Sequence, residues 1–445
     1  MISEVRLRPA QAFVWIWLPG AADPVVAARL TDRVPRMSFV YGQSYLARHD
    51  AIALSLPDLA LQSGEVLTRD DVPGCIADAG PDSWGRRVID RRLRLESGGL
   101  STLGYLLESG SNRIGGIDLQ HDPDTYVPRH GDEATIEDLA EAARRVEEGL
   151  PLGEVLRRAL LQSTSAGGAR PKALIAGGRL GFLAKFPSVL DSDPTIQGEY
   201  VAMHLARQAG IDAAGVSLQR VAGKQVLLVE RFDRTPDGGR RLVVSARTLL
   251  QNRAADEPAR TGYESYPLLA EEIRTRFAEP TTTMRELFTR ITFNILCGNT
   301  DDHAKNHAAF WNGQTLTLTP AFDVCPQRGF AVGAEQAMAF GANGDRASQV
   351  ARCIDHAHTY RLAGEEAAAL VDHQIDTIRS SWHTACDRAE LTRTQRSALW
   401  GRRFLNPYTL IGHAPRPHLA AQPPADPLSR AQPAADDPAT ELGHT

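Results

Sequence analysis

The segment Cys297–Phe310, CGNTDDHAKNHAAF, constrains this chain more than any other stretch. Within it, Asp301 and Asn306 stand with four residues between them, and Asp323 follows in LTPAFDVCP. Each residue type has a chemical use. A carboxylate can accept the proton of a hydroxyl, an amide oxygen can hold one metal, and a second carboxylate can hold a metal that bridges phosphates. For all three to act together, the loop after one helix must meet the turn after a later strand pair. By itself the Asp–Asn spacing is a weak sign, because a polar turn after a helix has the same composition.

Upstream segments agree with it. Ser165 to Ala176, SAGGARPKALIA, is a small-residue loop leading into an apolar run. LGFLAKFPS places Lys185 in a strand-like run, and EYVAMHLARQAG is a helical pattern carrying Glu199. KQVLLVERFDR reads as a further strand that ends in Glu230, Arg231 and Phe232. In chain order these are a glycine-rich loop, a lysine on a strand, a glutamate on a helix, a hinge strand, a catalytic loop and a metal aspartate. That order is the part list of a two-lobed kinase.

In SAGGARPKA, AKFPS, GEYVAMHLA, LLVERFDR, FNILCGNTDDHAKNHA and LTPAFDVCP the chain resembles the HipA family of serine/threonine kinase toxins. FVYGQSYLARHDAIALSLP and DAGPDSWGRRVIDRRL resemble the N-terminal subdomain of that family. Two departures stand out. RRLVVSARTLLQN replaces an acidic, histidine-containing segment after the hinge, and DSWGRRVI stands where other members carry a different turn.

The resemblance implies roles. Asp301 is the expected catalytic base, with Asp302, one residue late, structural. Asn306 and Asp323 are expected to hold Mg2+, and Lys185 to contact the ATP phosphates while paired with an acid. Glu199 is the natural partner, with Glu271 and Glu272 left open. Ala166, Gly167, Gly168, Ala169, Arg170 and Lys172 form the nucleotide loop, where glycines let backbone N–H groups approach phosphate. Glu230, Arg231 and Phe232 occupy the hinge, where backbone groups usually meet adenine. His303 and Lys305 complete the expected ATP contacts. Ser165, with Ser163 as second candidate, is the expected self-phosphorylation site. The expected partners are a separately encoded helix-turn-helix antitoxin, through which alone DNA is reached, and a protein substrate such as an aminoacyl-tRNA synthetase. Two other readings remain: a subunit of an antitoxin–DNA repressor complex with kinase activity held off, and a metal-dependent hydrolase using His303 and His307, spaced as zinc ligands often are.

Composition bounds the rest. A net charge of −5 gives no support for non-specific nucleic-acid binding by the whole chain. Five dispersed cysteines with no C-x-x-C read as reduced thiols in a cytoplasmic protein. No apolar run is long enough to span a bilayer. The expected class is α+β: a two-lobed protein-kinase-like fold with a small antiparallel-sheet N-lobe, a helical C-lobe and an N-terminal α/β subdomain. The expected division is residues 1–135, 136–240 and 241–411, then a disordered Pro/Ala-rich tail over 412–445.

Overall fold

Residues 11–120 build the first sheet of the computed structural model. Strands β1 (Gln11–Ile16), β2 (Val25–Asp32), β3 (Met37–Tyr41), β4 (Glu65–Leu67) and β5 (Ile117–Gln120) lie in the order β4-β3-β2-β1-β5, every pair antiparallel. Val14, Ile16, Leu30 and Phe39 are fully buried, which is why the AFVWIW run becomes a core strand. The structure describes residues 8–33, 36–68, 71–131, 134–165, 167–175, 177, 180–191, 194–254 (side chains to 251), 264–328 and 332–414.

Helix Ser83–Leu93 lies in the chain between β4 and β5 and ends at Arg94, whose φ is +58°. Its Trp84 and Val88 join an apolar cluster with Leu139, Ala142 and Val146 of helix Ile136–Glu148. The residues at its two ends fix the bounds of that second helix. A Thr135/Asp138 capping box starts it and Gly149, at φ +72°, stops it. The following apolar stretch is not one continuous helix: helix Glu154–Ala159 gives way to a tighter 3-10 turn, Leu160–Ser163.

The N-lobe sheet has the predicted content. Strands β6 (Lys172–Ile175), β7 (Phe182–Lys185), β8 (Val216–Val221) and β9 (Lys224–Glu230) pair antiparallel in the order β6-β7-β9-β8, and helix Thr195–Gln208 links β7 to β8. The register sets Lys172 opposite Lys185, so both ammonium-bearing chains stand side by side on one face. Two like charges so placed are unfavourable unless acids gather around them.

The C-lobe is built on helices Tyr266–Arg276, Pro280–Cys297, Gly364–Arg388 and Arg393–Leu399. It also holds a small antiparallel sheet, β10 (Leu242–Ser245), β11 (Ala308–Trp311) and β12 (Leu316–Leu318), in that order. The divergent segment RRLVVSARTLLQN supplies β10 and then helix Ala246–Ala254. A single apolar core runs from the first sheet through helix Thr195–Gln208 into helices Pro280–Cys297 and Gly364–Arg388. Among the described residues no helix is long and apolar enough to cross a membrane. The tail from residue 415 onward lies outside the described residues.

Candidate active site

Helix Pro280–Cys297 delivers the Asp301 loop. Thirteen of its residues are buried, from Thr283 to Cys297, so its position is fixed by packing. Gly298 ends it at φ +72°, a left-handed conformation that costs glycine least. A Cβ there would also lie 3.0 Å from the carbonyl oxygen of Arg403. Past the glycine, Asp302 turns inward and Asp301 outward. Asp302 is 3% exposed and its Oδ2 accepts from Asn294 Nδ2 at 2.7 Å, from the Tyr266 hydroxyl and from His307 Nε2 at 3.0 Å. Burial and Asp302 push the Tyr266 phenol well above its ordinary pKa, so it stays a donor. Asp301 is exposed, while its carbonyl accepts from Asn306 Nδ2 at 3.2 Å and His303 N–H at 2.9 Å. With its amide nitrogen so engaged, Asn306 has Oδ1 left for a cation.

Lys185 forms the centre of the site. Its ammonium contacts Glu199 on helix Thr195–Gln208 and Asp323. Glu271 and Glu272, the open alternatives, pair with Arg274 and Arg276 instead. Burial works against the charge on Lys185, but Asp323 and Glu199 outweigh it and raise its pKa. Burial likewise opposes the charge on Asp323, and Lys185 and Lys172 outweigh it, so its carboxyl lies well below the usual range. Asp323 has φ +59°, a conformation unusual for a non-glycine residue and worth about 1–3 kcal/mol of strain. Such strain is kept where the surrounding packing fixes a working side chain. Lys172 is 6% exposed, and burial pushes it down to about 8 despite Asp323 nearby.

The glycine-rich loop is held by residues from the N-terminal region. Gly168, at φ +96°, donates its N–H to Asp82 Oδ2 at 2.8 Å and accepts from the Trp84 N–H at 3.2 Å. Lys172 Nζ bonds the Gly167 carbonyl at 2.5 Å, and Trp84 Nε1 bonds the Lys172 carbonyl at 3.0 Å. Lys305 pairs with Asp82 Oδ1 at 2.6 Å. His303 lies close enough to Asp323 to help hold that carboxylate ionised.

Several expected contacts are placed differently. Ser163 and Ser165 are buried, at 0% and 3% exposure. Ser165 Oγ donates to the Gly110 carbonyl at 2.8 Å, and Ser163 Oγ is buried without a partner. Neither hydroxyl is presented to solvent: Ser163 ends the buried 3-10 turn, and Ser165 is held against Gly110. Ala169 and Arg170 are exposed, and Arg170 pairs with Asp191 at 2.9 Å. Ala166 lies outside the described residues. At the hinge, the Glu230 and Arg231 N–H groups go to the carbonyls of Gly215 and Gly181. The Arg231 guanidinium is buried against Asp233, Asn112 Oδ1 at 2.6 Å and the Arg113 carbonyl at 2.7 Å, so it faces the N-terminal region. Phe232 meets Phe310 and Phe322, with ring centroids 5.9 and 5.7 Å away. The zinc-site alternative also fails on geometry: His307 is buried and turned onto Asp302 and Tyr266. Among the described residues no group of three or more His, Cys, Asp or Glu side chains is placed to hold a metal.

Comparison with known proteins places this geometry in a family. The HipA-like C-terminal domain matches residues 164–382 and the HipA N-terminal domain matches residues 21–120. The chain belongs to the HipA family. Its fold is similar to that of HipA in the Shewanella oneidensis MR-1 complex of HipA, HipB and operator DNA. The TM-score is 0.62 at 18% identity, covering 89% of this chain and 99% of that one. The serine/threonine-protein kinase toxin HipA of Shewanella oneidensis is 23% identical over 141 residues, 28% of this chain and 33% of that protein. Y4mE of Sinorhizobium fredii is 30% identical over 149 residues, 32% of this chain and 33% of that protein. The matches to these two relatives thus span about a third of their length.

Within this HipA-family site, sequence reasoning missed Asp82, Asn112, Asn294, Tyr266, Phe310 and Phe322. Asp82 had a signal, since it precedes a helix as a cap would, but it makes no cap bond. The two phenylalanines flank the Asp301 and Asp323 motifs and were legible as neighbours. Asn112 and Tyr266 carried none, because only folding brings them within reach.

Proposed function

We propose that this chain is an ATP- and magnesium-dependent serine/threonine protein kinase that acts as the toxin of a toxin–antitoxin module. The observation that carries this reading is the buried Lys185 ammonium shared by Glu199 and Asp323, beside the Asp301–Asn306 loop. Asp301, exposed at the front of that loop, takes the proton of the acceptor hydroxyl. Asp323 and the Asn306 Oδ1 fit magnesium, since hard oxygen donors suit that ion. A magnesium ion held by those two side chains would supply neutralisation of phosphate charge. Lys185 and the Gly167–Gly168 amides orient the phosphates, with Lys172 and Lys305 adding positive charge and His303 a ring nitrogen. Phe232, Phe310 and Phe322 offer apolar surface to adenine. Ser165 or Ser163 is the self-phosphorylation site, and since both are buried, modification requires their hydroxyls to leave their seat.

The partner follows from the same family. The Shewanella HipA is seen with HipB and operator DNA, and we infer a separately encoded antitoxin here, with DNA reached through it. The acceptor is a protein of the translation apparatus. A second reading has its own observation: the glycine-rich loop is held by Asp82 and Trp84, as expected of a repressor subunit whose kinase activity is held off.

The test uses labelled ATP, magnesium and a cell lysate. The intact chain is expected to label protein, and Asp301→Ala to reduce labelling at least about a hundredfold while leaving ATP affinity nearly unchanged. Full labelling by Asp301→Ala removes the assignment of the base. Absence of labelling by the intact chain, with retained binding to a co-encoded helix-turn-helix protein, favours the repressor reading.

A further inference from the structure

Asp82 occupies the position a helix cap would take, at the start of Ser83–Leu93, yet its carboxylate bonds nothing in that helix. Oδ2 instead accepts the Gly168 N–H at 2.8 Å, and Oδ1 accepts Lys305 Nζ at 2.6 Å. A backbone amide of a glycine-rich loop and a nearby ammonium are what a phosphate oxygen requires. The surroundings fix the carboxylate there. Trp84 bonds the Gly168 and Lys172 carbonyls. Gly85 lies so close to the loop that a Cβ would stand 2.4 Å from the Thr164 carbonyl oxygen. Burial opposes the charge on Asp82, but Lys305 and the Gly168 N–H outweigh it, so the group is an anion.

We propose that Asp82 is an internal phosphate mimic, and that the N-terminal region and the phosphates of a nucleotide compete for the Gly168 amide and Lys305. A phosphate oxygen brought to these donors meets a carboxylate already bound to them. Like charges at that separation cannot both stay, so phosphate entry expels Asp82 and frees the loop from Trp84 and Gly85. The inference rests on the reading that the 167–172 loop receives the phosphates of ATP.

The test is calorimetric titration of the full chain and of Asp82→Asn with MgATP, adenosine and inorganic tripolyphosphate. The neutral amide keeps the side-chain shape and removes the charge. Asp82→Asn is expected to bind MgATP and tripolyphosphate at least about fivefold more tightly, with adenosine unchanged. Unchanged or weaker MgATP binding overturns the proposal and makes Asp82 an anchor of the loop. An equal gain for adenosine also overturns it, because charge is then not the cause. Tighter tripolyphosphate binding in a chain that binds neither ATP nor adenosine supports the mimic and sinks the kinase reading. Binding of none of the three sinks both. Amide exchange in the unmutated chain supplies a check that needs no variant. Saturating tripolyphosphate should speed exchange of the Trp84 N–H, which now bonds Gly168, and protection that stays unchanged counts against the proposal.

Discussion

At the scale of single residues, the site is a balance between burial and charge. Lys185 keeps its proton because two carboxylates face it, whereas Lys172, on the neighbouring strand, has its acids further off and is pushed down to about 8. The sign of its contribution follows. Between pH 8 and the ordinary 10.5 the unfolded chain binds more protons at Lys172 than the folded chain does. Stability therefore rises with pH across that window, and below it the buried charge carries its full cost. Lys172→Met should raise stability at pH 7 by on the order of 1–3 kcal/mol, less the lost bond to the Gly167 carbonyl. Thermal melts without magnesium should show that advantage shrink by pH 10. The same variant should bind MgATP at least about tenfold more weakly, a trade expected of a strained binding residue.

At the scale of elements, the helix end at Gly298 sets the site. Residues 299–306 are aimed by one left-handed residue and by the Asn294–Asp302–Tyr266–His307 network beneath them. Gly298→Ala should cost about 1–3 kcal/mol, from the φ of +72° and from the Arg403 backbone 3.0 Å from the new methyl. Urea denaturation measures it, and kinase turnover should fall with it because Asp301 is carried on the displaced loop. A full-activity, full-stability Gly298→Ala would show that the helix terminates without this cap. Asp302→Asn tests the network separately. It leaves Asp301 in place, and loss of a carboxylate that accepts three buried donors should lower the melting temperature along with turnover.

At the scale of the molecule, two buried acids tie the N-terminal sheet to the hinge. Asp118 is fully buried, and its carboxylate meets Arg113 at 2.6 Å and Arg129 at 3.1 Å. Asp233 meets Arg231 and Arg234 and accepts the Gly115 N–H at 2.7 Å, while Arg231 reaches the Arg113 carbonyl. Burial opposes both charges, and the arginines outweigh it, so both carboxyls are held well below the usual range. Their stabilisation is fully present above the unfolded pKa near 4 and is lost as pH falls toward the depressed folded values. Acid unfolding should therefore steepen below about pH 4. Asp118→Ala should cost about 3–5 kcal/mol at pH 7 by stranding the buried Arg113, and its deficit should shrink in acid, as melts from pH 7 to pH 3 would show.

Chain order and the family resemblance singled out Lys185, Glu199, Asn306 and Asp323, with Glu271 and Glu272 left open beside Glu199, while the strands and helix of the N-lobe were legible in the pattern itself. The reason is local: strand alternation, helix periodicity and loop chemistry repeat within a few residues. The bounds of helix Ile136–Glu148 were equally legible, since the capping box and terminal glycine are written beside it. The rest needed the fold. Nothing in the sequence distinguishes Arg231 facing a nucleotide from Arg231 buried on Asn112 and Asp233, because Asn112 and the Arg113 carbonyl lie more than a hundred positions away. The burial of Ser163 and Ser165, and the seat of Asp82 in the glycine-rich loop, depend on the packing of helix Ser83–Leu93 against that loop. Sequence periodicity determines which face an element presents, and only tertiary packing decides what meets it.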